Sequence, residues 1–129
     1  MKIVSDASSF LAVLLDETER NWVIKKTKNC ELTSPVILPY EIGNALMASF
    51  KRKRIDGSEM VKAYGVSKTI KVRLLDIDII KALKIAVRFN IYAYDAYYLQ
   101  CCIENGLPLL SLDKKMREVA TKLNIEVID

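Results

Sequence analysis

The chain of 129 residues contains no histidine. This absence excludes Ser-His-Asp and Cys-His mechanisms as well as metal sites that are built on histidine. The three cysteines include no CxxC pair, so neither a cysteine zinc site nor a dithiol redox centre is predicted. Cys101 and Cys102 are expected to lie in or near the core as reduced thiols. Any catalysis therefore has to use carboxylates, lysines, hydroxyls or a metal ion held by oxygen.

Long apolar runs, linkers and internal repeats are absent as well. No uninterrupted apolar stretch is long enough to cross a membrane, and MKIVSDASSF lacks the basic start and long apolar core of a signal peptide. These features indicate a cytoplasmic protein. Because 51% of the residues are hydrophobic and no Gly/Ser tract divides them, residues 1–129 are predicted to form a single domain. The net charge of +4 is only a mild sign of an anionic partner.

Segments with strand character alternate with helical segments along the whole chain. The predicted strands are KIVS (2–5), ELTS (31–34), VRLLDI (72–77), LPLLS (107–111) and IEVI (125–128). The predicted helices include 10–15, 17–28, 41–54, 57–71 and 94–105, together with one before 94 and one through 116–123. The strands show little alternation of polar residues, as expected when both faces of a sheet are covered. The pattern predicts an α/β fold, a three-layer α/β/α sandwich with a mainly parallel central sheet.

Two neighbouring helices differ in the distribution of their apolar residues. The first has a basic stripe and an apolar stripe, which predicts an amphipathic helix. These stripes are Lys81, Lys84 and Arg88 on one side and Ile80, Leu83 and Val87 on the other. The second helix, YDAYYLQCCIEN, is apolar almost all round and is predicted to be mostly buried. Asn105-Gly106 supplies its C-terminal stop.

Four acidic residues fall near predicted strand ends or helix starts, where α/β proteins bind ligands. Asp6 follows KIVS, Asp113 follows LPLLSL, and Asp95 and Glu41 lie at the starts of helices. Asp6, Asp95 and Asp113 have an ordinary explanation as N-caps, and Glu41 has one at the positive end of a helix dipole. The acids at 6, 41 and 95 nevertheless stand in apolar segments with few cations, where an unpartnered carboxylate is costly. A shared Mg²⁺ or Mn²⁺ would balance them.

The segments VSDASSF, LPYEIGNAL, YDAYYL and LLSLD, in this order, resemble the PIN-domain ribonucleases, most closely the VapC-like toxins of toxin–antitoxin pairs. The resemblance covers nearly the whole chain. It implies a catalytic acidic quartet with two metal ligands, Asp6 and Asp95, and three supporting polar residues. The quartet is Asp6, Glu41, Asp95 and Asp113, and the supporting residues are Ser8, Asn44 and Ser111. Some relatives carry a further acid after the fourth, whereas this chain continues with Lys114-Lys115-Met116.

The resemblance also implies an activity and partners. The activity is Mg²⁺-dependent endoribonuclease cleavage of RNA by a metal-activated water, with Mn²⁺ as an alternative ion, leaving 5′-phosphate and 3′-hydroxyl ends. The partners are the RNA substrate, which is single-stranded or looped, a cognate antitoxin and a second copy in a homodimer. The alternative is a non-catalytic PIN-like module that binds RNA or protein. A phosphoacceptor receiver domain fits less well, because Asp6 has no neighbouring acid and no lysine follows IEVI.

Basic and aromatic residues leave two interpretations open. Lys114, Lys115 and Arg117 either guide RNA through phosphate contacts or form a solvated helix face. The KRKR run (51–54) either binds phosphates or complements the negative end of a helix dipole. Tyrosines are able to stack on bases, but Tyr97 and Tyr98 are predicted to pack in the core because their helix is apolar.

Overall fold

Four parallel strands form the centre of the computed structural model, which describes residues 1–129. The strands are β1 (Lys2–Ser5), β2 (Glu31–Pro35), β3 (Val72–Leu75) and β4 (Leu109–Leu110). Their order across the sheet is β3-β2-β1-β4, and every neighbouring pair is parallel. Ile3 lies beside Leu32, which lies beside Val72. The parallel arrangement follows from the helical crossovers between successive strands.

Seven helices flank the sheet. They are α1 (Ala7–Leu14), α2 (Arg20–Thr27), α3 (Leu38–Lys51), α4 (Gly57–Ser67), α5 (Ile79–Phe89), α6 (Ala93–Asn105) and α7 (Lys114–Lys122). Val4 belongs to the larger apolar cluster and Ile3 to the smaller one. Because successive side chains of a strand point to opposite faces, the two clusters cover both faces of the sheet. The predicted three-layer α/β/α sandwich is confirmed. None of the helices combines the length and the apolar content that a membrane span requires.

The last two predicted strands are shorter than the sequence suggested. Only Leu109 and Leu110 of LPLLS pair with β1. The IEVI segment contributes a single bridge, between Leu109 and Val127, so its prediction as a strand is wrong. The backbone turns at Asn124, whose φ is 59°, before residues 125–128 reach the edge of the sheet. These residues form hydrogen bonds with the sheet only at Leu109.

Helix α5 is amphipathic, but its buried face is not the predicted one. Ile80, Leu83 and Val87 are 69%, 44% and 83% exposed, so their assignment as the packed apolar stripe is wrong. The buried residues are Ala82 and Ile85, and α5 packs against α6. The small Ala82 side chain is fully buried, which permits close approach of the two helices. The basic residues at 81, 84 and 88 are exposed as predicted.

Helix α6 has the buried character that its sequence predicts. Tyr98, Leu99, Cys101 and Cys102 are all at most 1% exposed, and both cysteines are free thiols. The helix ends at Gly106, which caps it with a φ of 61° in the left-handed region that glycine adopts without strain. Helix α6 also contacts β1 and β2, and its first turn carries Asp95 within electrostatic reach of Asp6, which directly follows β1.

Candidate acidic site

Asp6 is the most deeply buried acid of the protein, with a side chain that several hydroxyls surround. It directly follows β1, and its residue is only 3% exposed. Oδ1 accepts hydrogen bonds from Ser8 Oγ at 2.7 Å and from Ser9 N and Ser9 Oγ at 3.2 Å. Oδ2 accepts from Ser111 Oγ, which β4 carries into the site. Asp6 is thus both the predicted N-cap of α1 and the centre of a buried polar cluster.

No cation neutralises Asp6. The two ion pairs of the protein join Arg20 to Asp16 and Arg117 to Asp129, both away from this carboxylate. Burial raises the pKa of Asp6 above its ordinary value, although the hydrogen bonds from Ser111, Ser8 and Ser9 oppose the shift. A carboxylate in this position is expensive to ionise unless a positive charge joins it.

Glu41 lies in the first turn of α3, just after Pro39, whose fixed φ suits a helix start. Burial, then the charges of Asp6 and Asp95, raise the pKa of Glu41 to about 7, and the contact with Tyr98 opposes this shift. Glu41 Oε2 is buried and has no hydrogen-bond partner, and the same is true of Tyr98 Oη. Despite their contact, the two groups leave each other without a well-formed hydrogen bond. Glu41 Oε2 is therefore a buried acceptor that no donor of the protein satisfies.

Asp95 lies in the first turn of α6, but it is not the N-cap. Tyr92 occupies that position, so the ordinary explanation for Asp95 does not hold. Burial, then the charges of Asp113 and Asp6, raise the pKa of Asp95 to about 6. The acids at 6, 41 and 95 thus lie close enough to one another to shift their titration.

Asp113 occupies the outer margin of the acid cluster. It is exposed, it begins α7 as the predicted N-cap, and its Oδ1 accepts from Met116 N at 3.1 Å. Its own N–H donates to Ser111 Oγ at 3.0 Å. Ser111 therefore links Asp113 to the buried carboxylate of Asp6 through one hydroxyl.

The three supporting residues are placed differently. Ser8 Oγ donates to Asp6 and accepts from Leu112 N at 3.0 Å, and Ser111 is fully buried between two acids. Asn44 is exposed on α3 and takes no part in the hydrogen bonds around Asp6. Two further residues, Ser9 and Tyr98, were not predicted from the sequence. Ser9 stands three residues after Asp6, the spacing at which an N-cap meets the helix backbone, and this spacing was a usable signal.

The side chains of the acidic site match the ligand preferences of divalent ions. The side chains available are carboxylates and hydroxyls, and oxygen ligands suit Mg²⁺ and Mn²⁺. The unsatisfied Glu41 Oε2 and the uncompensated burial of Asp6 fit such an ion. No group of three or more acidic or cysteine side chains is already arranged as ligands around one point. The residues thus have the chemistry for a cation, although no three of them already form a set of ligands.

The basic residues near this end of the protein have unequal roles. Arg117 donates to the carbonyl oxygens of Ser111 and Ile128 and pairs with Asp129, so it holds the C-terminus in place. Lys114 and Lys115 are exposed next to Asp113. The KRKR run is exposed and starts at Lys51, the last residue of α3, about 15 Å along the helix axis from Glu41.

The protein is a parallel α/β/α sandwich that gathers acidic side chains near the carboxyl ends of its strands. Residues 3–122 match the PIN domain, and the chain belongs to the PIN domain family. Its structure is similar to the crystal structure of PAE2754 from Pyrobaculum aerophilum, with a TM-score of 0.64 and 25% sequence identity. The similarity covers 92% of this chain and 87% of the other. No curated protein matches the sequence. PIN domains are generally nucleases that typically use a divalent metal ion.

Proposed function

We propose that this chain is a divalent-metal-dependent endoribonuclease and the toxin of a toxin–antitoxin pair. The observation that carries the proposal is the group of mutually repelling acids that no lysine or arginine neutralises. Burial and the neighbouring carboxylates raise the pKa of Glu41 and Asp95 to about 7 and about 6. A folded protein that keeps such groups together without a counter-charge is organised for a cationic ligand.

In this proposal Asp6 and Asp95 would hold the ion, and Glu41 and Asp113 complete the acidic quartet. A bound Mg²⁺ or Mn²⁺ would supply the positive charge that the acids lack and would lower the pKa of a water that attacks phosphorus. Ser8, Ser9 and Ser111 fix the carboxylate of Asp6 by donating hydrogen bonds to both of its oxygens. This fixed orientation reduces the rearrangement that the site has to undergo when it is occupied.

Glu41 is the residue best suited to exchange a proton near neutral pH. Burial and the charges of Asp6 and Asp95 raise the pKa of Glu41 to about 7, close to the pH at which a general acid or base is effective. Its buried Oε2 has no donor from the protein, so this oxygen is free to accept a proton or a hydrogen bond in the occupied site. The absence of histidine agrees with a mechanism in which carboxylates perform all proton transfer.

The test is cleavage of total RNA by the purified protein with Mg²⁺, with Mn²⁺ and with EDTA, followed by mapping of the product ends. We expect cleavage only with a divalent ion, leaving 5′-phosphate and 3′-hydroxyl ends. The Asp95→Asn variant is the matched control, because it removes one charge and keeps the shape of the side chain. Equal cleavage by this variant, or by the parent in EDTA, would contradict the assignment.

One observation favours the alternative of a non-catalytic module that binds RNA or protein. No three of the acids are already arranged around a single point, as they would be in a preformed ion site. This alternative expects RNA binding without cleavage at any concentration of Mg²⁺ or Mn²⁺. A binding assay that is run beside the cleavage assay separates the two functions directly.

The proposed toxin role, antitoxin and homodimer rest on the resemblance, whereas the proposed cytoplasmic location and single domain over 1–129 rest on the composition and on the absence of long apolar runs and linkers. Induced expression of the chain should arrest bacterial growth, whereas expression of Asp95→Asn at the same level should not. Growth arrest by both versions would show that the toxicity does not come from the acids. Size-exclusion chromatography with light scattering tests the homodimer in the same preparations.

A further inference from the structure

We propose that the outer edge of β3 binds an extended segment of a partner protein, one in which acidic and apolar residues alternate. β3 is an edge strand whose only neighbour in the sheet is β2. Leu75 O accepts from Val36 N at 3.0 Å, so Leu75, and with it Arg73, turn their backbone groups toward β2. Because alternate residues face opposite sides, Val72 and Leu74 turn theirs outward.

The outward groups of β3 are open to a partner. No backbone hydrogen bond outside the regular helices and strands reaches Val72 or Leu74, and Leu74 is 40% exposed. An unpaired N–H and C=O at each of these residues is the arrangement to which a further strand adds. A four-residue edge offers few hydrogen bonds, so the side chains on both faces have to supply much of the selectivity.

On one face of the sheet, β3 borders an apolar cavity of about 240 Å³. Val72 and Leu74 line it together with Ile70 and Tyr64 from the preceding segment and Pro39 from α3. A strand placed beside β3 would direct every second side chain toward this cavity. Its volume and lining suit a branched aliphatic side chain.

On the opposite face, the same strand borders a basic cavity of about 300 Å³. Lys2, Lys71 and Arg73 line it with a single acid, Glu31. None of these cations belongs to the two ion pairs of the protein. The intervening side chains of an added strand would point here, and acidic residues fit the excess of positive charge.

The charges also argue against a second copy of this chain as the occupant. Antiparallel pairing of two β3 edges would bring Arg73 of one copy beside Arg73 or Lys71 of the other. Cations at a sheet edge commonly prevent such self-association, while they leave an acidic strand free to bind. The apolar cavity on the other face likewise favours a peptide over RNA. The proposal does not depend on nuclease activity.

The probe is the synthetic peptide acetyl-Glu-Ile-Glu-Val-Glu-Ile-Glu-amide, with a charge-reversed peptide that has lysine at each acidic position. We expect the acidic peptide to bind at least tenfold more tightly and to protect the amides of Val72 and Leu74 from hydrogen exchange. Fluorescence anisotropy measures the affinity, and NMR of the labelled protein reports the amides. Absence of binding at millimolar peptide, or protection of other amides only, would overturn the proposal.

A second experiment reverses the charge of the β3 edge. The Lys71→Glu/Arg73→Glu variant should reverse the preference and bind the lysine peptide more tightly. Lys81→Glu/Lys84→Glu on α5 makes the same change in charge elsewhere and should leave the preference as in the parent. An unchanged preference in the β3 variant contradicts the proposal. The proposal is also contradicted if neither peptide binds the parent while the β3 variant loses affinity for single-stranded RNA. RNA affinity is measured in the Asp95→Asn background.

Discussion

At the carboxyl end of the sheet, Asp6 is buried, Glu41 and Asp95 are partly buried, and the three acids lie within electrostatic reach of one another, whereas the charged side chains at the amino end are mainly basic and solvated. The charge of Asp6 raises the pKa of both other acids. Lys2, Lys71 and Arg73 are exposed, and water screens their repulsion. Ionised side chains therefore destabilise the fold at the carboxyl end of the sheet, whereas those at the amino end have little effect on stability. The difference supports the proposal that the acids hold a cation.

The largest expected effect is the loss of RNA cleavage in Asp6→Asn. Removal of this charge should lower the cleavage rate by at least about 100-fold, because the proposed ion site would lose its most buried carboxylate. The same change should raise the thermal midpoint of the metal-free protein at pH 8, since it removes a buried, uncompensated charge. Cleavage assays and thermal melts in EDTA measure the two effects.

Asp76→Asn is the control for this prediction. Asp76 is an exposed acid just after β3, and its replacement removes the same charge without touching the site. Its cleavage rate and midpoint should equal those of the parent. A parental rate in Asp6→Asn would remove this residue from the catalytic group.

The next effect is a dependence of stability on pH in the metal-free protein. The folded state raises the pKa of Glu41 to about 7 and that of Asp95 to about 6, so it binds protons more tightly than the unfolded chain. Protonation therefore stabilises the fold, and this stability is lost as pH rises through 6 and 7. Because solvent screens both carboxylates, the expected loss between pH 5 and pH 8 is about 2 kcal/mol. Urea unfolding in EDTA measures it.

Glu41→Gln tests the origin of this pH dependence. The variant keeps the size of the side chain but does not titrate, so its loss of stability between pH 5 and pH 8 should be clearly smaller than that of the parent. An identical slope in parent and variant would assign the effect to other groups.

A smaller effect is expected from the metal ion itself. Mg²⁺ or Mn²⁺ at ten times its dissociation constant should stabilise the fold by about 1.4 kcal/mol, because it binds the folded state only. For a domain of this size, that corresponds to a rise of about 5 °C in the thermal midpoint. The rise should disappear in Asp6→Asn, and a parent midpoint that is indifferent to millimolar metal would count against the site.

The smallest effect is expected at the basic end. Lys71→Ala and Arg73→Ala should each change the free energy of unfolding by less than about 0.5 kcal/mol, since neither cation is in an ion pair. Their cleavage rates should also equal the parent rate. Urea unfolding measures the free energy of unfolding of these variants beside that of the acid variants. A loss as large as about 2 kcal/mol at Lys71 or Arg73 would contradict the expected difference between the two ends of the sheet.

The layered fold could be predicted from the sequence because its strands are short apolar runs that alternate with helices. The buried face of α5 could not. Its sequence offers two apolar arcs, one through Ile80, Leu83 and Val87 and one through Ala82 and Ile85. The second arc is buried because α5 packs against α6, and this choice depends on a contact between two helices rather than on the periodicity of one.

The acidic site was partly accessible from the sequence for a similar reason. Acids that follow strands or open helices were recognisable by position, and the structure brings Asp6, Glu41 and Asp95 within electrostatic reach of one another. The pairing of Glu41 with Tyr98 was not recognisable, because the residues lie on different helices. The same holds for Arg117, whose contacts with the C-terminal segment exist only in the folded chain.

The adjacent free thiols of Cys101 and Cys102 in the middle of α6 are able to report on local unfolding of this helix. Burial raises the pKa of Cys101 to about 11 and that of Cys102 further, so both thiols are protonated and shielded in the native state. Alkylating reagents attack thiolates that they are able to reach. The rate at which these two sulfurs are modified therefore measures how often the helix that carries Asp95 detaches from the sheet, while Cys30, which is only partly covered, supplies the reference rate.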